Sequence, residues 1–175
     1  MEEYILNKAQ KVKLLLLDVD GVLTDGRIIY DSKGRDLKLF DVHDGMGVHL
    51  LHTFGIPTVL ITAKGSGAIR PRARDMSVVK IFENVSPKTK VLERILSTYN
   101  VREDELCFVA DDLVDLGLMK RVGFPIAVFN ACPEIKQQAS YVTLRQGGRG
   151  AVREVAELIL KAKGLWSEVI RVYDA

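Results

Sequence analysis

Four short, largely apolar runs punctuate the chain, at positions 13–17, 58–61, 106–110 and 126–129. Runs of this length with no polar alternation are expected of strands buried on both faces of a parallel sheet. Between them lie stretches of helical period, at 47–54, 88–99 and 112–122. Strands alternating with helices imply right-handed crossovers, so the pattern predicts an α/β fold with a doubly wound, Rossmann-like parallel sheet. One segment breaks the alternation. Residues 27–30 and 36–40 flank Asp31-Ser32-Lys33-Gly34-Arg35, whose Ser and Gly favour a tight turn, and the segment reads as an inserted β-hairpin over about 27–40. Val152, Val155, Ala156, Ile159 and Leu160 recur at helical spacing and predict an amphipathic helix over 151–163, after which Gly164 opens a tail over 164–175. No repeat and no Pro/Gly linker divides the chain, which is expected to form a single domain over 1–175.

Charge narrows the partners. The 25 Lys and Arg are set against 23 Asp and Glu spread along the sequence, so a formal net charge of +2 provides no nucleic-acid surface. Cys107 and Cys132 are the two cysteines, each in or beside an apolar run, and read as buried thiols rather than a disulfide. The first residues, MEEYILNKAQKVK, hold no apolar core of signal-peptide length, and no segment approaches the roughly 20 apolar residues of a membrane span. A cytoplasmic protein without membrane partners is expected.

The chemistry begins where the first buried strand ends. Asp18-Val19-Asp20-Gly21-Val22-Leu23-Thr24-Asp25 places two carboxylates two residues apart at the strand end where open α/β sheets bind ligands. Carboxylates beside an apolar strand raise each other's pKa unless a cation compensates, and a hard divalent ion such as Mg²⁺ is the economical compensation. One carboxylate is then free to attack phosphorus while its neighbour handles the proton. Thr62 follows the second run and offers a hydroxyl to a phosphate oxygen. Lys88, or its neighbour Lys90, begins a helix and offers a charge to neutralise phosphate. Asp111, Asp112 and Asp115 follow the third run and add carboxylate for the ion. Taken singly, each of these residues has a bland role, Asp112 as a helix N-cap and Asp115 as a first-turn acid. Together the bland roles do not account for the set, which is expected to act on a phosphoryl group.

With these four motifs the chain resembles the haloacid dehalogenase superfamily. The resemblance implies Asp18 as nucleophile, Asp20 as general acid and base, and Thr62 and Lys88 as phosphate ligands. It also implies Asp18, the Asp20 backbone carbonyl and Asp111 as magnesium ligands, with Asp112 and Asp115 supporting the metal. The gaps between Asp20 and Thr62 and between Thr62 and Lys88 leave no room for a cap domain. An uncapped protomer can close its site with a neighbour's surface, and the hairpin is the candidate contact.

Gly34-x-x-Leu37-Lys38-x-Phe40, Asp44-Gly45-x-Gly47, Ala110-Asp111-Asp112-Leu113-x-Asp115 and Gly147-Gly148-Arg149-Gly150-Ala151-Val152-Arg153-Glu154 extend the likeness. Over about 12–163 the chain is similar to the 3-deoxy-D-manno-octulosonate 8-phosphate phosphatases, uncapped and tetrameric enzymes of bacterial lipopolysaccharide synthesis. That resemblance implies a small acid sugar phosphate as substrate and a homotetramer built through the hairpins, with the C-terminal region closing a neighbour's site. It carries substrate contacts onto Asp20, Asp41, Val42, His43, Asp44, Gly45, His49, Lys64, Arg72 and Lys88. Arg is the commoner family residue at the places of His43, His49 and Lys64, and neither His nor Lys reproduces the bidentate fork of Arg. This leaves two alternatives, a phosphatase for a sialic acid 9-phosphate or a non-catalytic scaffold of the same fold. A receiver-domain reading fails on the arrangement of acids. A zinc site from His49 and His52, at i and i+3, is set aside in favour of the carboxylate set. Pro71, between Arg70 and Arg72, is expected to kink or restart its helix.

Overall fold

In the computed structural model, which describes residues 2–174, the elements follow the order α1 (Glu2–Lys11), β1 (Leu14–Leu17), β2 (Ile29–Tyr30), β3 (Asp36–Leu37), α2 (Val42–Thr53) and β4 (Thr58–Ile61). They continue with α3 (Ile69–Asp75), β5 (Lys80–Phe82), α4 (Leu92–Tyr99), β6 (Leu106–Ala110), α5 (Leu116–Met119) and β7 (Phe124–Ala127). The chain ends with α6 (Pro133–Gln138), β8 (Tyr141–Val142), α7 (Ala151–Ala162) and α8 (Trp166–Tyr173). Met1 and Ala175, the ends of the expected domain and tail, lie outside the described residues.

Six strands form one parallel sheet in the order β5-β4-β1-β6-β7-β8, and β2 and β3 pair antiparallel by themselves. The chain winds outward from β1 through β4 to β5, then crosses back to β6 on the other side of β1. Right-handed crossovers therefore place α2 and α3 on one face and α4, α5 and α6 on the other. α7 returns to the first face, where it packs on α2 and α1. The reversal of winding leaves a crevice between the C-terminal ends of β1 and β6, the topological switch point at which open α/β sheets bind ligands.

The central strands are as buried as their sequence requires. Leu14, Leu15, Leu16 and Leu17 are fully buried, as are Cys107, Phe108 and Val109 beside them. β7 begins two residues before the expected run. Pro125 lies inside it, opposite Phe108, and although its nitrogen cannot donate, its carbonyl accepts from Ser140 N–H at 2.8 Å. The expected helix over 112–122 is interrupted, a 3₁₀ turn over Leu113–Asp115 preceding a short α5. Lys88–Val91 is likewise a 3₁₀ turn leading into α4. Pro71 does not kink α3, because it sits in the first turn, where a backbone N–H has no intrahelical partner. Within the tail, Trp166–Tyr173 is helical and anchored through Val169, which is buried.

Two contacts bind α2 to α7. Asp44 of α2 is buried and accepts from the backbone N–H groups of Gly150 (3.2 Å) and Arg153 (2.9 Å), so it caps a helix that begins more than a hundred residues later. Gly150, at φ +92°, offers that helix no side-chain cap of its own. One turn further along α2, a methyl on Gly47 would lie 2.9 Å from Arg153 Cα, so only glycine allows the helices this close. Gly47→Ala is therefore expected to destabilise the protein by about 1–3 kcal/mol, the usual range for overpacking. Gly67→Ala, where a methyl meets nothing within 4 Å, is the control and should change little. Urea unfolding of both variants checks this, and equal midpoints would contradict the close-packing account.

Candidate active site

β1 delivers Asp18 to the crevice, where its N–H donates to Val109 O of β6 at 3.2 Å. The chain then folds back on itself, the N–H groups of Leu23 and Thr24 donating to Val19 O, while the Thr24 hydroxyl oxygen accepts from Gly21 N–H (3.2 Å) and Gly26 N–H (3.3 Å). Gly21, at φ +89°, occupies the left-handed region. A methyl there would sit 1.9 Å from an Asp111 carboxylate oxygen, so glycine is what lets Asp111 reach the loop.

Lys88 meets two carboxylates at once. Its Nζ lies 2.5 Å from Asp18 Oδ1 and 2.5 Å from Asp115 Oδ1, and the lysine is only 2% exposed. Lys90 instead points to the surface and donates to Ser86 O, so it is Lys88 that the fold brings to Asp18. Asp115 is held from both sides, because its Oδ2 accepts from Asp111 N–H at 3.3 Å. Asp112 faces outward and accepts from Leu113 N–H at 2.8 Å, the N-cap role open to it from the sequence.

The charge does not balance. One carboxylate oxygen from each of Asp18, Asp111 and Asp115 lies within 4.8 Å of the others. With all three carboxylates ionised against one ammonium, two negative charges are left over in a largely buried space. Burial, then the Asp115 charge, push the Asp18 carboxyl up to about 6 against the pull of Lys88. Burial, then the charges of Asp18 and Asp115, push Asp111 up to about 8. Burial works against the Lys88 ammonium, but the Asp18 and Asp115 carboxylates outweigh it and raise its pKa. Asp111 Oδ1 is buried without a hydrogen-bond partner. An unpartnered carboxylate oxygen among excess negative charge fits a hard divalent cation, for which oxygen donors are the preferred ligands.

The cavity here measures about 230 Å³ and is lined by Asp18, Asp20, Gly26, Ala63, Lys88, Asp111, Asp112 and Val114. A larger one, about 430 Å³, opens at the N-terminal ends of the strands among Val12, Phe54, Ile56, Tyr99 and Val101, with Lys13 and Lys163 but no carboxylate. Size does not locate the chemistry. Thr62 is buried beside the catalytic cavity, with its hydroxyl donating to Lys64 O at 2.9 Å and accepting from Lys64 N–H at 3.2 Å. Lys64 extends to the hairpin, where its Nζ lies 3.1 Å from the Tyr30 hydroxyl.

The remaining expected substrate contacts form a separate group around the start of α2. Asp41 caps that helix and pairs with His43 at 3.1 Å, and Arg72 of α3 donates to Asp41 O at 2.7 Å. Arg72 also packs on Gly45, where a methyl would lie 2.2 Å from its Nη2, and over the Phe40 ring. His49 pairs with Ser77 at 3.1 Å and His52 is exposed, while Val42 is 72% exposed. None of these side chains lines the catalytic cavity. Asp44, also expected as a sugar contact, is 1% exposed and engaged in capping α7.

Two features escaped the sequence reading. Lys38, quoted only as part of a motif, pairs with Asp20 Oδ1. The Gly-rich segment is a buttress for the Asp18 loop. Gly148 N–H donates to Val22 O at 2.8 Å, and a methyl on Gly147 would lie 1.7 Å from Gly21 O.

Residues 66–154 match the haloacid dehalogenase-like hydrolase family. The chain is 37% identical over 165 residues to the 3-deoxy-D-manno-octulosonate 8-phosphate phosphatase of Salmonella typhi, covering 94% of this chain and 88% of that protein. The same enzyme of Escherichia coli K12 is 37% identical over 164 residues, covering 94% and 87%. Among solved structures, the Moraxella catarrhalis phosphatase of that name, in complex with magnesium, phosphate and the free sugar acid, superposes with a TM-score of 0.95 at 37% identity over 99% of both chains. A cobalt-bound Haemophilus influenzae phosphatase gives 0.86 at 32% identity, covering 90% of this chain and 92% of the other. The buried acids, the lysine among them and the switch-point crevice thus belong to a haloacid dehalogenase-like hydrolase, and within that superfamily the chain is a member of the 3-deoxy-D-manno-octulosonate 8-phosphate phosphatase family.

Proposed function

We propose that this protein is a Mg²⁺-dependent phosphomonoesterase that hydrolyses 3-deoxy-D-manno-octulosonate 8-phosphate to the free sugar acid and phosphate, in lipopolysaccharide precursor synthesis, through an aspartyl-phosphate on Asp18. The observation that carries the mechanism is Lys88 Nζ at 2.5 Å from both Asp18 and Asp115 beside the unpartnered Asp111 oxygen. It combines a restrained nucleophile with a charge deficit of the kind a divalent ion fills.

The Asp18 carboxylate attacks phosphorus, and the bond from phosphorus to the sugar oxygen breaks with its electron pair going to that oxygen. Asp20 donates a proton to the leaving oxygen. Asp20 then takes a proton from water, whose oxygen attacks phosphorus and releases Asp18 and phosphate. Lys88 and Thr62 hold phosphoryl oxygens, Lys88 also restraining the nucleophile. Asp18, Asp111 and the Asp20 backbone carbonyl would hold Mg²⁺, which would neutralise the charge that gathers on the phosphoryl oxygens. Asp115 braces this set through Lys88 and Asp111 N–H, and Asp112 supports it from the rim. Intact carboxylates and lysine count against a scaffold without activity.

Lys64 reaches the sugar end of the site from the same protomer. Asp41, Val42, His43, Gly45, His49 and Arg72 serve the substrate of a neighbouring protomer, in a homotetramer formed through the hairpin. Support comes from the apolar surface along that hairpin and its continuation, where Ile28, Tyr30, Leu37, Leu39 and Val42 are exposed. A cytoplasmic location suits the two free cysteines, and no helix among the described residues is long and apolar enough to cross a membrane.

Phosphate release from the octulosonate 8-phosphate, a sialic acid 9-phosphate and simple sugar phosphates tests the assignment. Preference for the octulosonate that vanishes with chelator is expected; metal-dependent preference for the nine-carbon acid would remove the named substrate, and no release from any would leave the scaffold reading.

The raised Asp111 carboxyl has a consequence for stability. Its folded pKa, about 8, exceeds the ordinary 3.8, so the folded chain holds a proton that the unfolded chain loses between these values. Metal-free stability therefore falls as pH rises through that window. Mg²⁺ binds the deprotonated form, so the gain in Tm on adding Mg²⁺ should grow from pH 5.5 to 8 and shrink in Asp111→Asn. Thermal unfolding with Mg²⁺ and with chelator measures it; a gain independent of pH would contradict the charge account.

A further inference from the structure

The hairpin carries one side chain that turns inward while its neighbours face out. Leu37 and Leu39 are 49% and 68% exposed, whereas the Lys38 side chain between them is only 8% exposed. A lysine withdrawn from water requires negative partners to offset its desolvation. Lys38 has two. Its Nζ pairs with Asp20 Oδ1 and lies 3.7 Å from Asp36 Oδ2, an oxygen that is buried and has no hydrogen-bond partner. The other strand of the hairpin reaches the same mouth, with Tyr30 against Lys64.

The site therefore contains two lysines drawn out of the solvent, with different partners. Lys88 restrains Asp18, and Lys38 engages Asp20. Among the described residues the hydrogen bonds of the Asp20 side chain engage Oδ1 alone, which leaves Oδ2 free, and Asp20 lines the cavity. We propose that Lys38 is a positioning residue for Asp20, holding Oδ1 so that Oδ2 is the oxygen that gives its proton to the leaving group. As the phosphorus–oxygen bond breaks, the electron pair passes to the sugar oxygen and the Oδ2 proton follows it; Lys38 touches neither and acts only through Asp20. The inserted hairpin thus has a chemical task in its own protomer, fixing the acid as Lys88 fixes the nucleophile.

This rests on Asp20 as the acid, and the test isolates that step. An alkyl phosphate needs a proton on its leaving oxygen, whereas p-nitrophenyl phosphate releases a stable anion and does not. kcat/KM reports the steps through cleavage of that bond and excludes the later hydrolysis of the phosphoenzyme. In Lys38→Met, kcat/KM on the best sugar phosphate is expected to fall about 10- to 100-fold, within the range for misplaced general acid catalysis. On p-nitrophenyl phosphate it should fall less than about threefold. Lys38→Arg, which keeps the charge, should recover most of the loss. The ratio of the two substrates is taken within one preparation, so a partly unfolded sample leaves it unchanged. Equal losses on both substrates, or no loss on either, would overturn the proposal. Wild-type protein that cleaves no alkyl phosphate would overturn it together with the reading of Asp20, and that outcome appears before any variant is made.

Discussion

Three carboxylates crowded around one ammonium at the junction of β1 and β6 are the constraint around which the site is arranged. A carboxylate strongly attracts protons in a buried setting, and a protonated carboxyl is a poor nucleophile. Lys88 offsets one charge by lying between Asp18 and Asp115 at 2.5 Å from each, and burial strengthens that attraction by excluding water. Asp111, still pushed up to about 8, marks where the rest of the imbalance gathers and where a divalent ion belongs.

Meeting this constraint demands unusually close backbone approaches, and glycine supplies them. Gly21 admits Asp111, and Gly147 and Gly148 seat the later Gly-rich segment on the Asp18 loop. The same segment leads into α7, whose start is capped by Asp44 from α2. Nucleophile loop, Gly-rich segment and the α2–α7 pair therefore form one continuous scaffold. A segment that begins more than a hundred residues after Asp18 is among those that hold it.

The sheet was legible because its central strands are uniformly apolar, and β4 and β6 match their expected bounds residue for residue. The edge strands were not. Lys80–Phe82 and Tyr141–Val142 are short and only partly buried, so they carry little periodic signal. Pro125 hid the start of β7, since a missing donor ordinarily argues against a central strand. At the site, the acids stood out at strand ends and Lys88 at a helix start, where a 3₁₀ turn leads into α4. The capping role of Asp44 was not legible, because its partners are backbone N–H groups from a remote helix, a contact that leaves no local pattern. Lys38 was missed for a similar reason, as only the fold shows that it turns inward to Asp20.

The central claim, that phosphate passes through a covalent bond to Asp18, is tested most directly by trapping that bond. Enzyme turning over its phosphate ester would be quenched and treated with borohydride, which reduces an acyl phosphate to homoserine, and its peptides read by mass spectrometry. The account predicts homoserine at position 18 in the wild type and none in Asp18→Asn. Rapid turnover with no reduction at position 18, or with reduction at Asp20 or Asp111 instead, would contradict it.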